Sequence, residues 1–268
     1  MKFIFKIMSL LLVLGSFQTQ AIAQKNEFGF LAGASNYHGD LAYNIAPNET
    51  RFSGSAFYRW NINSYWSMRP TLSYIPIGGA DSNFAEYNDR NLSFRNNIYE
   101  VSNVMEFNFQ PFSNRSIHNS NTFYVMGGIA GFIHKPEAKL DDQWYDLRKA
   151  QTENTDYRLI QLSIPMGAGY KQSIGGNFVF GLEAAWRLTF TDYLDDVSSV
   201  YPELETDNGG FNRLSDRSWQ VSETGMPLAN QGDTRGDANL RDWYFQTAVT
   251  IAYRFTPIKC AFDVRYFK

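Results

Sequence analysis

Cysteine is almost missing from this sequence, which has one among 268 residues. Because this residue, Cys260, is the only cysteine, neither an internal disulfide nor a cysteine metal cluster can form within the chain. Histidine is scarce too: the three residues His38, His118 and His134 do not make a spaced metal set. The sequence therefore predicts no cofactor and no metal centre.

Long hydrophobic runs and concentrated positive charge are also missing. No segment beyond the N-terminal leader is apolar over 18 consecutive residues, which excludes membrane-spanning helices there. Charged residues make up 19 % of the chain, without a basic stripe or a basic aromatic motif. Nothing in this pattern favours binding to nucleic acid.

Residues 1–23 have the pattern of a secretory signal peptide. Lys2 and Lys6 precede a short apolar run, and Ala21 and Ala23 supply the small residues expected before a cleavage site. Removing this segment leaves 22 basic against 27 acidic side chains, a formal net charge of −5. The alternative, an N-terminal membrane anchor, is disfavoured because the apolar run is well short of the roughly 20 residues a spanning helix needs.

The most informative stretch that is present spans residues 178–190. Its even positions are all apolar and mostly large, from Phe178 to Phe190, whereas its odd positions include Glu183 and Arg187. A period of two with one apolar face is the signature of a β-strand. The run is longer than the strands of soluble sandwiches, and it fits the roughly 9–11 residues of a transmembrane barrel strand.

The same alternation recurs to give eight predicted strands, joined by connections that are alternately long and short. A barrel with an even strand number, short periplasmic turns and long extracellular loops has this pattern. The sequence thus predicts an all-β, eight-stranded antiparallel transmembrane β-barrel over residues 24–268, in contact with outer-membrane lipid, with a periplasmic tail at 256–268. The predicted strands are 27–34, 52–60, 65–77, 99–109, 123–133, 160–171, 178–190 and 243–255.

Charged residues at lumen positions are a consequence of this pattern. An isolated buried charge costs several kcal/mol, so we expect these side chains to pair inside the barrel and hold it closed. The alternative is a gated ion path. The predicted lumen residues are Glu100, Glu106, Glu183, Arg187 and Arg254.

Two further kinds of site are weighed and disfavoured. A hydrolase using His38, with Asp40 nearby, or using His134 lacks a nucleophile elbow, so the chain is predicted not to be an enzyme. The acidic segment 191–198 offers oxygen ligands for Ca²⁺ but lacks the glycine and glutamate spacing of a calcium loop. We interpret it as a solvated, turn-forming start of a loop.

Two segments carry a resemblance to a known family. The stretch 33–41 (GASNYHGDL) after the first strand and the stretch 191–198 (TDYLDDVS) after the seventh are similar to marks of the PorG-like outer-membrane proteins of Bacteroidetes. The resemblance covers the mature chain in strand order, and the second motif is the more specific. The motif residues are Tyr37, Gly39, Asp40, Asp192, Tyr193, Asp195 and Asp196.

This resemblance implies a role in the type IX secretion system. Family members associate with the periplasmic ring of the PorK lipoprotein and PorN, and support protein export and, in gliding species, motility adhesins. The surface facing such a ring would comprise the short turns and the tail. Its candidate docking residues are Phe262, Arg265, Tyr266 and Lys268. A stand-alone barrel for adhesion or envelope integrity is the alternative.

Overall fold

The structure is a computed structural model that describes residues 26–43, 47–84, 87–112, 120–175, 177–203 and 211–255. The predicted signal peptide at 1–23, Cys260, His118 and the tail at 256–268 lie outside these residues. The four candidate docking residues of the tail lie outside them too.

Eight long strands pair in an antiparallel sheet that closes on itself. The barrel strands are β1 (Asn26–His38), β2 (Arg51–Asn61), β3 (Trp66–Ala80), β4 (Ser93–Asn108), β5 (Asn121–Ile133), β8 (Ile160–Ile174), β9 (Phe178–Thr189) and β10 (Trp243–Phe255). The order around the sheet is β3-β2-β1-β10-β9-β8-β5-β4, and β4 pairs back with β3. This closure confirms the predicted eight-stranded barrel.

The long connections lie at one end of the barrel and contain further ordered elements. The loop between β5 and β8 forms a hairpin, β6 (Pro136–Leu140) and β7 (Gln143–Asp146), followed by the one-turn helix α1 (Leu147–Ala150). Single 3₁₀ turns occur at Pro47–Glu49, Asp81–Asn83 and Ser218–Gln220. No helix in the described part of the chain is long and apolar enough to cross a membrane.

Side chains alternate between the lumen and the outer face as the sequence predicts. In β9, Leu182 is 61 % exposed on the outside, whereas Glu183 is 6 % exposed inside. Gly169 lines the lumen where a Cβ atom would come within 2.5 Å of the Tyr124 ring. Exposed aromatic side chains flank the apolar outer band near both ends, as in transmembrane barrels. They include Trp60, Trp66, Phe109, Phe123 and Tyr253 towards the short turns, and Phe52, Trp186, Phe190 and Trp243 towards the long loops.

The first and fourth strands extend further than the sequence indicates. β1 continues to His38 because residues 35–38 pair with the start of β10, Trp243 to Gln246. β4 begins at Ser93 because the end of β3 pairs with it through Ala80. Part of the first family motif is therefore strand rather than loop, and the connection between β3 and β4 is shorter than the predicted strand bounds 65–77 and 99–109 imply.

Three prolines, Pro70, Pro76 and Pro165, lie inside strands, although proline within a strand pattern is typical of a strand end or a bulge. The β2–β3 ladder lacks the pairs at residues 58–59 opposite 69–70, yet it keeps the same register on both sides of that gap. Pro76 lies beyond the last β2 pair, and Pro165 lies in a similar gap of the β5–β8 ladder. A proline cannot donate a ladder hydrogen bond. Around each of these prolines the strand is thus fully paired with only one of its two neighbouring strands.

A hydrophobic core closes the long-loop end of the lumen. Ile75, Ile77 and Ile98 from the barrel wall pack with Leu41 and Leu194 from the loops, and all five are buried. The loops are therefore anchored into the mouth of the barrel.

The outward position of Leu182 generates a test of the membrane orientation. Leu182→Arg places a charge in the lipid-facing band and should cost roughly 2–4 kcal/mol of unfolding free energy. Ala185→Ser, on the lumen face of the same strand, should cost less. Urea unfolding of both variants in lipid vesicles provides the measurement, and the reverse order would contradict the assigned faces.

Candidate functional site

The lumen contains charged side chains from seven of the eight barrel strands, in two groups. The structure places all five sequence-predicted lumen residues inside the barrel and buries each of them. It divides them between a lower group, nearer the short turns, and an upper group, nearer the long loops. A cavity of about 10 Å³ lies among residues of both groups, including Arg69, Glu183 and Arg187. This volume accommodates at most about one water molecule, which gives no support for an ion path.

The lower group is a continuous chain of ion pairs. Glu27 accepts from Arg59 at 2.5 Å and from Arg254 at 3.0 Å. Arg59 continues to Glu106 at 2.9 Å, and Arg69 bridges Glu106 at 3.1 Å and Glu183 at 2.6 Å. Strands from opposite sides of the barrel are thereby joined through its interior.

Two further contacts complete this lower group. Lys171 Nζ lies 2.8 Å from Glu106, and the Tyr124 hydroxyl donates to Glu183 at 2.6 Å. The ring of Phe112 lies under Lys171 Nζ at 5.1 Å and under the Arg254 guanidinium at 4.8 Å. An aromatic face next to a cation is favourable, so Phe112 also contributes at the short-turn end.

The upper group connects β4, β9, β10 and β2. Tyr244 donates to Glu100 at 2.7 Å, and Arg187 lies 3.5 Å from the same carboxylate. Arg187 also donates to Gln246 at 3.1 Å, and Gln246 donates to Ser53 at 2.9 Å.

Sequence reasoning missed four members of the lower group: Glu27, Arg59, Arg69 and Lys171. All four lie within predicted strands at lumen parity, so the alternation itself was a usable signal. Glu27, Arg59 and Arg69 lie near the ends of their strands, where alternation does not distinguish a lumen charge from a polar residue at the membrane interface.

The two family motifs, distant in sequence, meet at the long-loop end. The Tyr37 hydroxyl lies 2.7 Å from Asp195 Oδ2 and 2.5 Å from Asp242 Oδ1. Asp242 immediately precedes β10, and its other oxygen accepts from the backbone N–H of Leu194 at 2.7 Å. A Cβ atom at Gly39 would lie 2.0 Å from the Tyr37 oxygen, so only glycine leaves space for this contact.

A proton must be shared within this arrangement. A tyrosine hydroxyl has one hydrogen to donate, yet here it contacts two carboxyl oxygens at hydrogen-bond distance. One carboxyl must therefore be protonated and donate to the Tyr37 oxygen. Burial raises the pKa of Asp195 well above its usual range, and the Asp40 charge adds to this. The pKa of Asp242 is raised in the same way by burial and by the charge of Asp195.

Two further acidic motif residues, Asp40 and Asp192, lie near this shared proton. Asp40 accepts from the backbone N–H of Asp237, and its burial raises its pKa to about 6. Both carboxylate oxygens of Asp192 are buried. Burial and neighbouring negative charges raise the pKa of Asp192 to about 7.

Asp196 and Tyr193 belong to a neighbouring group that is also buried. Asp196 accepts from Thr152 and, at 2.6 Å, from Tyr157, and it lies 3.7 Å from Arg235. Burial raises the pKa of Asp196 to about 6. Tyr193 stacks on Tyr157 with ring centroids 4.6 Å apart.

The prediction that segment 191–198 is a solvated loop start was wrong. Residues 194–198 are buried, because Leu194 and Val197 pack in the hydrophobic core and carry the adjacent carboxylates with them. Across the described ranges, no group of three or more His, Cys, Asp or Glu side chains is placed to hold a metal ion.

The histidines considered for catalysis are differently placed. His134 is 1 % exposed and lies between Asn96 and the Arg158 carbonyl, and burial lowers its pKa to about 4. His38 lies against the Trp243 ring at 6.1 Å. No hydrogen bond joins His38 to Asp40 in the described part of the chain, so the geometry does not form the suggested dyad.

Comparisons with known proteins give one family and a set of structural likenesses. A family model described as a domain of unknown function, DUF6089, matches residues 4–231. No curated protein matches the chain. Among solved structures, the attachment invasion locus protein Ail of Yersinia pestis has 13 % identity and a TM-score of 0.42, covering 87 % of this chain and 100 % of its own.

Two other solved structures have comparable likeness. The outer membrane protein OprG of Pseudomonas aeruginosa has 7 % identity and a TM-score of 0.42, covering 87 % of this chain and 98 % of its own. Neisserial surface protein A has 8 % identity and a TM-score of 0.39, with 86 % and 97 % covered. At such scores these likenesses add nothing on function, and the barrel assignment stands on the closed sheet and its apolar exterior.

The lower ion-pair group predicts a large effect at its central cation. Arg69→Met removes a cationic partner from the buried carboxylates of Glu183 and Glu106. This should lower the free energy of unfolding by about 3–5 kcal/mol. Lys139→Met breaks the Lys139–Asp142 pair, whose Asp142 side chain is 94 % exposed, and should leave the unfolding free energy nearly unchanged because solvent screens an exposed pair. Urea unfolding in vesicles measures both, and equal losses would contradict the assigned role of Arg69.

The shared proton predicts a pH dependence of stability. Because folding raises the pKa of Asp195 and Asp242, the stability they contribute is greatest at low pH. It decreases as the pH rises from about 4, the unfolded value, through the raised folded-state value. Asp242→Asn replaces the shared proton by an amide donor. Between pH 6 and 9 the melting temperature of this variant should therefore fall by about 2–4 °C less than that of the parent protein.

The exposed Asp142→Asn variant serves as the control for this measurement, since its pH profile should match the parent protein. Thermal unfolding in detergent across this pH range gives both curves. A parallel decline of Asp242→Asn and the parent would show that no proton is shared at Tyr37.

Proposed function

The chain belongs to the DUF6089 family, and we propose that it is a non-enzymatic outer-membrane component of the type IX protein secretion system. The observation that carries this proposal is the meeting of the two PorG-like motif segments, joined by the Tyr37 contacts with Asp195 and Asp242. The two motif segments lie about 150 residues apart in the sequence and form one buried unit. This supports a resemblance to the PorG-like proteins that extends over the whole barrel.

The filled lumen supports a structural role rather than transport through this barrel. Secreted proteins cannot pass an interior occupied by ion pairs and a cavity of about 10 Å³. The chain would contribute through its surfaces, in the outer membrane of a Gram-negative bacterium of the Bacteroidetes, after export with a cleaved signal peptide. In gliding species the same system would support motility.

Docking to a periplasmic ring of PorK- and PorN-like subunits would use the short-turn end. The turn 62–65 has no charged residue, and Ile62 is 48 % exposed there. The tail at 256–268 starts at the same end, directly after β10. We assign its Phe262, Arg265, Tyr266 and Lys268 as the docking residues.

A pull-down from native outer membranes tests this proposal. The tagged protein is extracted in mild detergent and its partners are identified by mass spectrometry, with a second sample truncated after Thr256. We expect PorK- and PorN-like subunits with the full chain and their loss on truncation. Recovery that survives truncation would move the contact to the turns, and absence of every ring subunit would overturn the proposed function.

A stand-alone barrel for adhesion or envelope integrity is the second candidate. The ordered long-loop end favours it, because the β6–β7 hairpin carries Trp144 and Tyr145, which are 44 % and 39 % exposed. In that case the pull-down would give no secretion subunit, and deletion of the gene would impair surface attachment or detergent resistance while leaving type IX export intact.

A further inference from the structure

Asn103 places an amide on the lipid-facing surface of the barrel. It is exposed on the outer side of β4, between the outward side chains of Val101 and Met105. The residue opposite it on β3 is Pro70, and the residue opposite it on β5 is Ile129. Neither the lumen network nor the proposed secretion role involves this side chain.

Two aromatic pairs fix the depth of Asn103 in the membrane. Four positions before it on β4, the ring centroid of Tyr99 lies 5.3 Å from that of Tyr74. Four positions after it, the ring centroid of Phe107 lies 4.9 Å from that of Trp66. Exposed aromatic side chains mark the two membrane interfaces of a transmembrane barrel. Asn103 therefore lies midway between the interfaces, at the depth of the hydrocarbon chains.

An amide at this depth is costly. Its oxygen can accept two hydrogen bonds and its nitrogen can donate two. Lipid chains provide neither donors nor acceptors, so a polar group exposed to them loses the hydrogen bonds that water would give it. The four side chains around Asn103, those of Pro70, Val101, Met105 and Ile129, are apolar. A partner protein in the membrane would satisfy the amide.

The rest of the outer band does not carry such a group. Between the aromatic side chains of the two interfaces, the exposed outward positions of the eight strands are apolar side chains or glycine, apart from Asn103 and Thr247. Thr247 lies on β10, on the opposite side of the barrel from β4 and β5. Polar side chains within the membrane typically mark contacts between protein segments.

The surface beside Asn103 has a projection between two notches. Ile129 is 73 % exposed, and Gly127 and Gly131 are the outward positions on either side of it on β5. A Cβ atom at Gly127 would meet nothing within 4 Å, and one at Gly131 would have Leu162 Cδ2 as its nearest neighbour at 3.9 Å. The packing of the barrel therefore does not require glycine at either position. Glycine on a lipid-facing surface does allow a second protein to approach closely.

These features are complementary to themselves. An amide has both a donor and an acceptor, so two Asn103 amides that face each other can each donate one hydrogen bond to the other. Ile129 and Gly127 lie two positions apart on one strand, so the projection of one copy can fill the notch of another copy, and the reverse. A two-fold interface places the same surface patch of both subunits in contact, which is what such a surface requires.

We propose that this surface is the interface of a homodimer within the membrane. The two Asn103 amides exchange hydrogen bonds at its centre, and apolar side chains around them exclude lipid. The inference is independent of the secretion role. The interface, named the β4–β5 face, consists of Val101, Asn103, Met105, Gly127, Ile129 and Gly131.

Sedimentation equilibrium of the full chain in neutrally buoyant detergent micelles tests the proposal. We expect a monomer–dimer equilibrium. Asn103→Leu removes the amide and should raise the dissociation constant of the dimer about threefold to thirtyfold, the range for side-chain hydrogen bonds within membranes. Gly127→Leu fills the notch and should also weaken the dimer, although the barrel has room for the added Cβ atom. Thr247→Val is the matched control and should leave the dissociation constant unchanged.

Cysteine cross-linking in native outer membranes locates the interface. In a Cys260→Ser background, Val101→Cys should cross-link two copies through a short thiol-reactive reagent, whereas Thr247→Cys should not. Circular dichroism verifies that each variant retains the barrel.

Four outcomes would overturn the inference. The first is a parent protein that stays monomeric in the micelles, and the second is an Asn103→Leu variant that dimerises as tightly as the parent. The third is cross-linking of two copies through Thr247→Cys but not through Val101→Cys. The fourth is cross-linking of Val101→Cys to a different protein in place of a second copy, which would assign the β4–β5 face to another partner.

Discussion

Desolvation of charge inside the closed barrel is the constraint on which the rest of this structure depends. Closing eight strands removes water from the lumen, and a buried ion without a partner costs several kcal/mol. The response is the chain of ion pairs that runs from Glu27 through Arg59, Glu106 and Arg69 to Glu183. Two of these pairs, Arg59–Glu106 and Arg69–Glu183, join strands that are not hydrogen-bonded neighbours, so they also hold the barrel together across the lumen.

The long-loop end handles buried charge differently. Arginines pair with some of its carboxylates, Asp81, Glu153 and Asp196, but Asp195 and Asp242 share Tyr37 instead. Protonation there replaces ion pairing, because among the residues that the structure describes no cation forms an ion pair with either carboxyl. The two ends of the protein are thus stabilised by different electrostatic means.

Much of the fold follows from alternation alone. A strict period of two, as in β9 and β10, assigns both the strand and the face of each side chain, and the bounds of β10 match the prediction. The ends of β1 and β4 were missed because they depend on pairing with distant strands. Pro70 and Pro165 lie within strands because a proline without a donor still permits complete pairing on one side.

The sequence by itself determined the class of the molecule: an apolar outer face, a charged inner face, an even number of strands and a division into long and short connections. Such properties are local, since each depends on neighbouring positions in the chain. Only the tertiary structure decided which charges meet in the lumen and that Tyr37 lies between Asp195 and Asp242. These contacts join segments up to 227 residues apart, and their distances depend on barrel closure and loop packing, which no local pattern encodes.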